Sequence, residues 1–418
     1  MDFHQSDFQS AGLSRKGISN TIAGVAIIVI LVVAAAGGYF FRGSTPASTI
    51  TTTAVLTSTV ATTTTSTVTA SLATIPTLSN AKVSTIQVGP FFAALSGVVY
   101  NPKNNEIYAA LENLGSVAVL NGTTGSSITM INLTSGDSPI ELAFDSSNNM
   151  IYVANDDWST CSPSTNSTCS IPVINTLTNT VVANIATPDE TSDVAVNPNT
   201  NVVYATSNDD DATFLLNAST NQYIGILQNH TQIPDNSEVV TVDSSKNLAF
   251  IANSYYHNQP VAYVGFLASP SGGGCMFKST NESADCVTRA VGILGGKAVG
   301  IAVDPTTGLI YVSNYNLNTV NVISESTGQD VANITVQSPS GIVVNPVSDM
   351  IYVASNTTSS AGVDSLFVIS GSTNTVLGKI PVGFGPENVA LDTTSGMILV
   401  SNTSDGTITE ILESSLTS

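Results

Sequence analysis

From residue 81 onward, short segments of alternating apolar and polar residues, rich in Val, Ile and Tyr, are separated by stretches of Asn, Asp, Gly, Ser and Thr. A period of two carried by β-branched residues is the pattern of half-buried strands, and the residues between them are those that turn the chain. The segments recur in a fixed order. An Asx residue stands seven positions before an aromatic or large apolar residue in Asn101/Tyr108, Asp145/Tyr152, Asn197/Tyr204, Asp243/Phe250, Asp304/Tyr311, Asn345/Tyr352 and Asp392/Leu399. Each pair brackets a turn such as Pro305-Thr306-Thr307-Gly308, which predicts a tight hairpin. In the fifth unit four strands are predicted, over 299–303, 309–313, 319–323 and 330–336.

Successive Asx positions lie 44, 52, 46, 61, 41 and 47 residues apart, and four antiparallel strands in that length make a propeller blade. The last unit stops after its third strand. Residues 82–88 match the fourth-strand pattern of 376–382, so the two ends of the chain are expected to share one blade and close the ring. The predicted fold is all-β, a seven-bladed β-propeller of four-stranded antiparallel blades over 81–418.

Three further regions precede it: a leader (1–17), an apolar helix (18–42) and a stalk (43–80). Ile22 to Phe41 is a run of 20 residues without a charged side chain, about 30 Å of helix, which is the thickness of a bilayer core. Arg15 and Lys16 before it predict a cytoplasmic N-terminus and an extracellular remainder. The other reading of the same run is a secretory signal cleaved at Ala34-Ala35-Ala36. Between Ser44 and Asn80, 21 of 37 residues are Ser or Thr, a composition that predicts a disordered, glycosylatable stalk.

Two resemblances enter here. Ser14-Arg15-Lys16-Gly17-Ile18-Ser19 resembles the processing site of archaeal pilin-like class III signal peptides, which implies a cut between Gly17 and Ile18 that leaves the helix attached. Ile310-Tyr311-Val312-Ser313-Asn314, Ile151-Tyr152-Val153-Ala154-Asn155 and Ile351-Tyr352-Val353-Ala354-Ser355-Asn356 resemble the YVTN-family propeller repeat of archaeal surface-layer proteins. That resemblance implies a propeller and a surface location, not a chemistry.

Composition narrows the function. Lys plus Arg number 10 against 30 acids, a formal charge of −20, so a nucleic-acid partner is excluded. Charged residues are only 10% of the chain, and a fold with few ion pairs to protonate is expected to tolerate acid. In a four-stranded blade the B–C and D–A loops share one face, here called the loop face. It is expected to carry Asp156, Asp157, Asp209, Asp210 and Asp211 after second strands, with Asp137, Glu141, Asp189, Glu190, Asp193, Asp235 and Glu238 beside D–A connections. Oxygen ligands on loops suit calcium, but no EF-hand-type spacing is present; solvated acidic loops are the simpler reading, and no cofactor is expected. The aromatics Trp158, Tyr255, Tyr256 and Tyr315, with Phe91, Phe92 and Phe384, are expected on the same face, where rings stack on sugars.

Cys161 with Cys169 and Cys275 with Cys286 are close in sequence and, outside the membrane, predict two local disulfides. Sequons occur at Asn121, Asn132, Asn166, Asn217, Asn229, Asn281, Asn333, Asn356 and Asn402, a number that chance supplies in so Asn- and Thr-rich a chain. No catalytic spacing is recognisable, and the seven Asx residues are expected to form turns. The sequence therefore points to non-enzymatic recognition or adhesion at a cell surface, with envelope glycans or proteins as partners. A pilin-like filament subunit capable of self-assembly and an extracellular hydrolase or lyase are the alternatives.

Overall fold

Each of the seven Asx side chains folds back on the turn that follows it. Its oxygen accepts from the backbone N–H two residues on: Asn101 from Lys103 (2.9 Å), Asp145 from Ser147 (2.8 Å), Asn197 from Asn199 (3.0 Å), Asp243 from Ser245 (2.9 Å), Asp304 from Thr306 (2.8 Å), Asn345 from Val347 (3.0 Å) and Asp392 from Thr394 (3.0 Å). Four residues after the Asx the backbone turns left-handed in every unit, at Asn105, Asn149, Asn201, Asn247, Gly308, Asp349 and Gly396. These are the residue types that tolerate a positive φ. The turns close the A–B hairpins and are the reason for the spacing of seven.

The computed structural model describes residues 50–56, 64–70 and 75–416, the last without 135, 157–168, 209–211, 228–236, 254–261, 269–286, 294–295 and 358–363. The chain divides into two units at Thr74/Ile75. In the first, Ile50–Leu56 pairs antiparallel with Thr64–Ala70, so part of the stretch expected to be disordered has strand geometry, as its β-branched Thr and Val residues favour. The apolar run 22–41 lies outside the described residues, among which no helix is long and apolar enough to cross a membrane.

The second unit is a seven-bladed propeller. Its seven innermost strands are Leu95–Asn101, Pro139–Asp145, Asp193–Asn197, Ser237–Asp243, Ala298–Asp304, Pro339–Asn345 and Pro386–Asp392, and each heads a four-stranded antiparallel sheet, blades 1 to 7. Blade 7 takes its outer strand from the front of the unit: Val83–Gln87 pairs with Thr407–Leu412, Val83 opposite Ile411 and Gln87 opposite Thr407. The ring closes as the sequence predicts.

Alternation within the second strand of each blade feeds two cores at once. Tyr152 packs toward blade 3 with Val203 and Phe214, while Ile151 and Val153 pack toward blade 1 with Tyr108 and Val119. Seven such clusters fill the seven gaps between blades. The buried Tyr hydroxyl of one blade reaches the C–D turn of the next: Tyr108 donates to Asn179 Oδ1 (2.6 Å) and Tyr152 to the Ala218 carbonyl (3.1 Å). Blade 7 has no C–D turn, because its outer strand comes from elsewhere. There Glu413 substitutes, accepting from Tyr352 (2.6 Å) and from Asn345 Nδ2 (2.6 Å). The missing turn leaves an apolar cavity of about 380 Å³ at this seam, walled by Leu78, Met350, Tyr352, Val368 and Leu416 among others.

Residues 75–80, expected as stalk, belong to this unit. Leu78 N–H donates to the Lys379 carbonyl (2.9 Å), and Leu78 packs into the cluster between blades 6 and 7 because Gly378 leaves room for its side chain.

Candidate functional site

The ring of inner strands encloses an axial channel. Side chains four or five residues before the buried Asx of each blade face it, among them Ser96, Glu141, Asp193, Glu238, Glu387 and Asn388. Bulges interrupt the pairing at this level, for example between Pro139 and Glu141 and between Pro386 and Val389. Gly97 of blade 1 is required by close packing: a Cβ there would lie 2.7 Å from the Ile140 carbonyl oxygen and 2.8 Å from Glu141 Cα. The result is a cavity of about 460 Å³ opening to the loop face, lined also by Glu112, Asp156 and Asn208 from B–C loops and by Glu190, Thr191, Ser192 and Lys297 from D–A connections. Both loop sets do share one face.

Among the described residues seven carboxylates line this cavity, Glu112, Glu141, Asp156, Glu190, Asp193, Glu238 and Glu387, against one ammonium, Lys297. Lys297 Nζ lies 3.6 Å from Glu238 Oε1. Glu141 reaches across blade 1, past Gly97, to accept from Asn388 Nδ2 of blade 7 (2.6 Å), and its other oxygen accepts from Leu142 N–H (3.1 Å). Asp193 accepts from Val194 N–H (2.7 Å) and from Val240 N–H of blade 4 (2.8 Å). Thr403 donates to Glu387 (2.6 Å). The donors to Glu141, Asp193 and Glu387 are all neutral.

Burial without a cationic partner disfavours the charged form. Burial first, and then the neighbouring Asp193, pushes the Glu141 carboxyl well above the usual carboxylate range. Burial carries Asp193 from 3.8 to about 7, against the pull of its two backbone donors. Glu387 is raised by burial, and Glu112 by burial and then by Glu387. Glu387 keeps accessible surface, but that surface opens into the channel, where surrounding protein replaces much of the bulk water.

Of the residues predicted for the loop face, Asp156, Glu141, Glu190, Asp193 and Glu238 are gathered around the cavity. Asp137 instead is a buried staple, accepting from Thr134 N–H (2.8 Å) and Asn155 Nδ2 (2.9 Å). Tyr315 is half-buried, its N–H bonded to the Lys297 carbonyl, and is not a lining residue. Phe91, Phe92 and Phe384 are exposed on D–A connections around the 403–406 loop. Asp157, Trp158, Asp235, Tyr255, Tyr256 and Asp209–Asp211 lie outside the described residues, as do Cys161, Cys275, Cys286, Gly17, Ile18, Asn166, Asn229 and Asn281. Cys169 is buried at the head of its strand. Among the described residues no group of three or more His, Cys, Asp or Glu side chains is gathered to hold a metal ion. Of the sequons, Asn132 and Asn333 are exposed on outer strands, whereas Asn402 is buried and donates to Thr407 and Thr409.

Sequence reasoning missed Glu112, Glu387, Asn388 and Lys297. Reading down the seven repeats at four and five positions before the Asx, and eleven after it, finds the first three.

No protein-family model matches the chain, nor does any curated protein sequence. Solved structures do match. Hydrazine synthase of Kuenenia stuttgartiensis is similar with a TM-score of 0.64 at 13% identity, over 77% of this chain and 96% of that one. The structure of U3-55K is similar with a TM-score of 0.59 at 12% identity, over 79% of this chain and 98% of that one. At such identities the likeness is one of fold, and the fold is the seven-bladed β-propeller.

Proposed function

We propose that this is a membrane-anchored cell-surface recognition protein whose propeller takes a small basic ligand, an amine or amino sugar, in the axial cavity. One observation carries the reading: among the described residues seven carboxylates line the cavity and a single ammonium faces them. A cation carrying several N–H donors offsets that charge and adds charge-assisted hydrogen bonds to the neutral donors that Glu141, Asp193 and Glu387 already have. The path of the chain supports the display of this face. Residues 75–82 come in beside the seam at the A–B/C–D face, and the cavity opens on the opposite side. The apolar run 22–41 would supply the anchor and the YVTN-like segments fit a surface location. Terminal-peptide mass spectrometry of envelope protein starting at Ile18 would add pilin-type processing.

Calorimetric titration with spermidine and glucosamine, against neutral glucose, tests the ligand class. Binding of an amine, weakened about tenfold by each of Glu141→Gln and Glu387→Gln, is the expected result, since each removes a carboxyl that ionises against the bound ammonium, an interaction worth roughly 1.4 kcal/mol at partial exposure. Equal behaviour of glucose and glucosamine, or indifference to both substitutions, overturns it.

A hydrolase or lyase is the second reading, favoured by Glu141 and Asp193. Two adjacent carboxyls that hold protons toward neutral pH are the equipment of acid–base catalysis. Turnover of a glycan or lactone panel, lost in Glu141→Gln, distinguishes it from binding alone.

A further inference from the structure

The lining of the axial cavity changes character around the ring. At the two channel-facing positions, four and five residues before the buried Asx, blades 7, 2 and 3 supply Glu387, Glu141 and Asp193. Blade 4 stands at the boundary, with Glu238 followed by Val239. Blades 5 and 6 supply Val299, Gly300 and Gly341, and among the described residues no carboxylate of either blade lines the cavity. Lys297, on the connection into blade 5, is turned to Glu238 across that boundary. Val239 and Val299 are half-buried, and Val299 belongs to none of the seven clusters of described residues that fill the gaps between blades. No polar side chain stands in for the missing acids. The Ser340 hydroxyl donates to the Pro386 carbonyl (3.0 Å) and is not a lining residue. Gly300 and Gly341 have no room for a side chain, because a Cβ would lie 2.5 Å from the carbonyl oxygens of Ser340 and Glu387 respectively.

We infer that the ligand of this cavity is an amphipathic monoamine, a single ammonium on a compact apolar body such as an aryl or cycloalkyl ring. The ammonium lies toward Glu141, Asp193 and Glu387, and the ring lies against Val239 and Val299. The inference rests on the reading of the cavity as an amine site, and adds what the ligand turns away from the acids. Covering valine side chains with C–H surface frees the water on both. Sugar hydroxyls set there would exchange water for methyl groups, a loss that no hydrogen bond repays. A second ammonium reaching the same arc would be desolvated beside the like charge of Lys297. The volume, about 460 Å³, is that of a site for a small ligand.

Calorimetric titration of the full chain in detergent tests it with three probes: phenethylamine and ethanolamine, which carry one ammonium each, and the neutral phenethyl alcohol. Wild type is expected to bind phenethylamine at least about tenfold more tightly than ethanolamine, a factor that burial of one or two methylene equivalents supplies. Phenethyl alcohol is expected to bind at least about tenfold more weakly than phenethylamine, for want of the charge. Val299→Ser, with circular dichroism unchanged, should cut the ratio of the two amine affinities about threefold or more. The wild-type ranking decides the inference whether or not that variant folds. Equal affinities for the two amines overturn it and leave the amine reading standing. Equal affinities for phenethylamine and phenethyl alcohol, or binding of none of the three, overturn both. Phenethylamine binding that is indifferent to Glu141→Gln and to Val299→Ser puts the amine in the apolar cavity at the seam of blades 6 and 7, and overturns the inference equally.

Discussion

Asp193→Asn is expected to flatten the pH dependence of folding. With a folded value near 7 against 3.8 in the free side chain, Asp193 keeps its proton in the folded protein across a range where the unfolded chain has released it. The folded state binds more protons in that window, so stability falls as pH rises from about 4 to 7, and the loss is complete above 7. At about 1.36 kcal/mol per pKa unit the cost approaches roughly 4 kcal/mol, less what channel water screens. For a domain of this size that is on the order of 8 °C in melting temperature. The substitution has its own constant penalty. Both Asp193 oxygens accept backbone N–H groups, and the Asn side-chain amide turns a donor toward one of them, costing about 1–3 kcal/mol at every pH. The slope, not the absolute stability, is therefore the readout. Melting curves by circular dichroism at pH 4.5, 6 and 7.5 should show wild type losing stability with pH and the variant losing much less. A wild type that is flat or gains stability over that range, or a variant with the same slope, refutes the reasoning.

Gly97→Ala places a methyl against the blade 2 backbone, and is expected to cost about 1–3 kcal/mol in urea denaturation while weakening amine binding through the displaced Glu141. A chain beginning at Pro90 lacks the outer strand of blade 7; losing the burial of Ile86 and Leu78 alone costs about 3 kcal/mol or more, measurable in the same assay. Intact mass with and without reductant, on denatured protein, should differ by two hydrogens for each of the pairs Cys161–Cys169 and Cys275–Cys286; equal masses exclude the bridges.

The ring was legible because its turn chemistry is local. Asn101, Asp145 and their five counterparts act on the next two or three residues, so the same letters recur wherever the same turn does, and the buried Tyr follows at a fixed distance. Closure was legible for the same reason, as residues 82–88 carry an outer-strand pattern without an outer-strand position. The cavity was not. Whether Glu141 or Ile140 faces the axis depends on a bulge, since one extra residue exchanges the two sides of a strand. Glu387 and Glu112 read in isolation as solvated acids. Only the ring brings blade 7 to blade 2, where Asn388 meets Glu141.

The carboxylates of this propeller fall into two groups with opposite pH behaviour. Asp243 and Asp392 sit in the A–B turns, where hydroxyl and N–H donors, joined by Lys246 at Asp243, hold them below the usual range. They stabilise the fold above their unfolded values, and that contribution is lost as the pH falls through their folded ones. Glu112, Glu141, Asp193 and Glu387 are raised, and what they contribute is lost as the pH rises. The two trends cross, which places the stability maximum in mild acid and gives the low overall charge a structural counterpart. A cation in the cavity reverses one of them. It brings a positive charge to Glu141, Asp193 and Glu387, whose donors are neutral, draws their protons off, and so should move the maximum toward neutral pH. Wild-type melting at pH 7.5 should then rise with added spermidine, while Asp193→Asn, missing one of the charges to be compensated, should gain less. If spermidine binds but leaves the wild-type pH profile unmoved, the amine sits elsewhere on the acidic surface and the axial cavity is not its site.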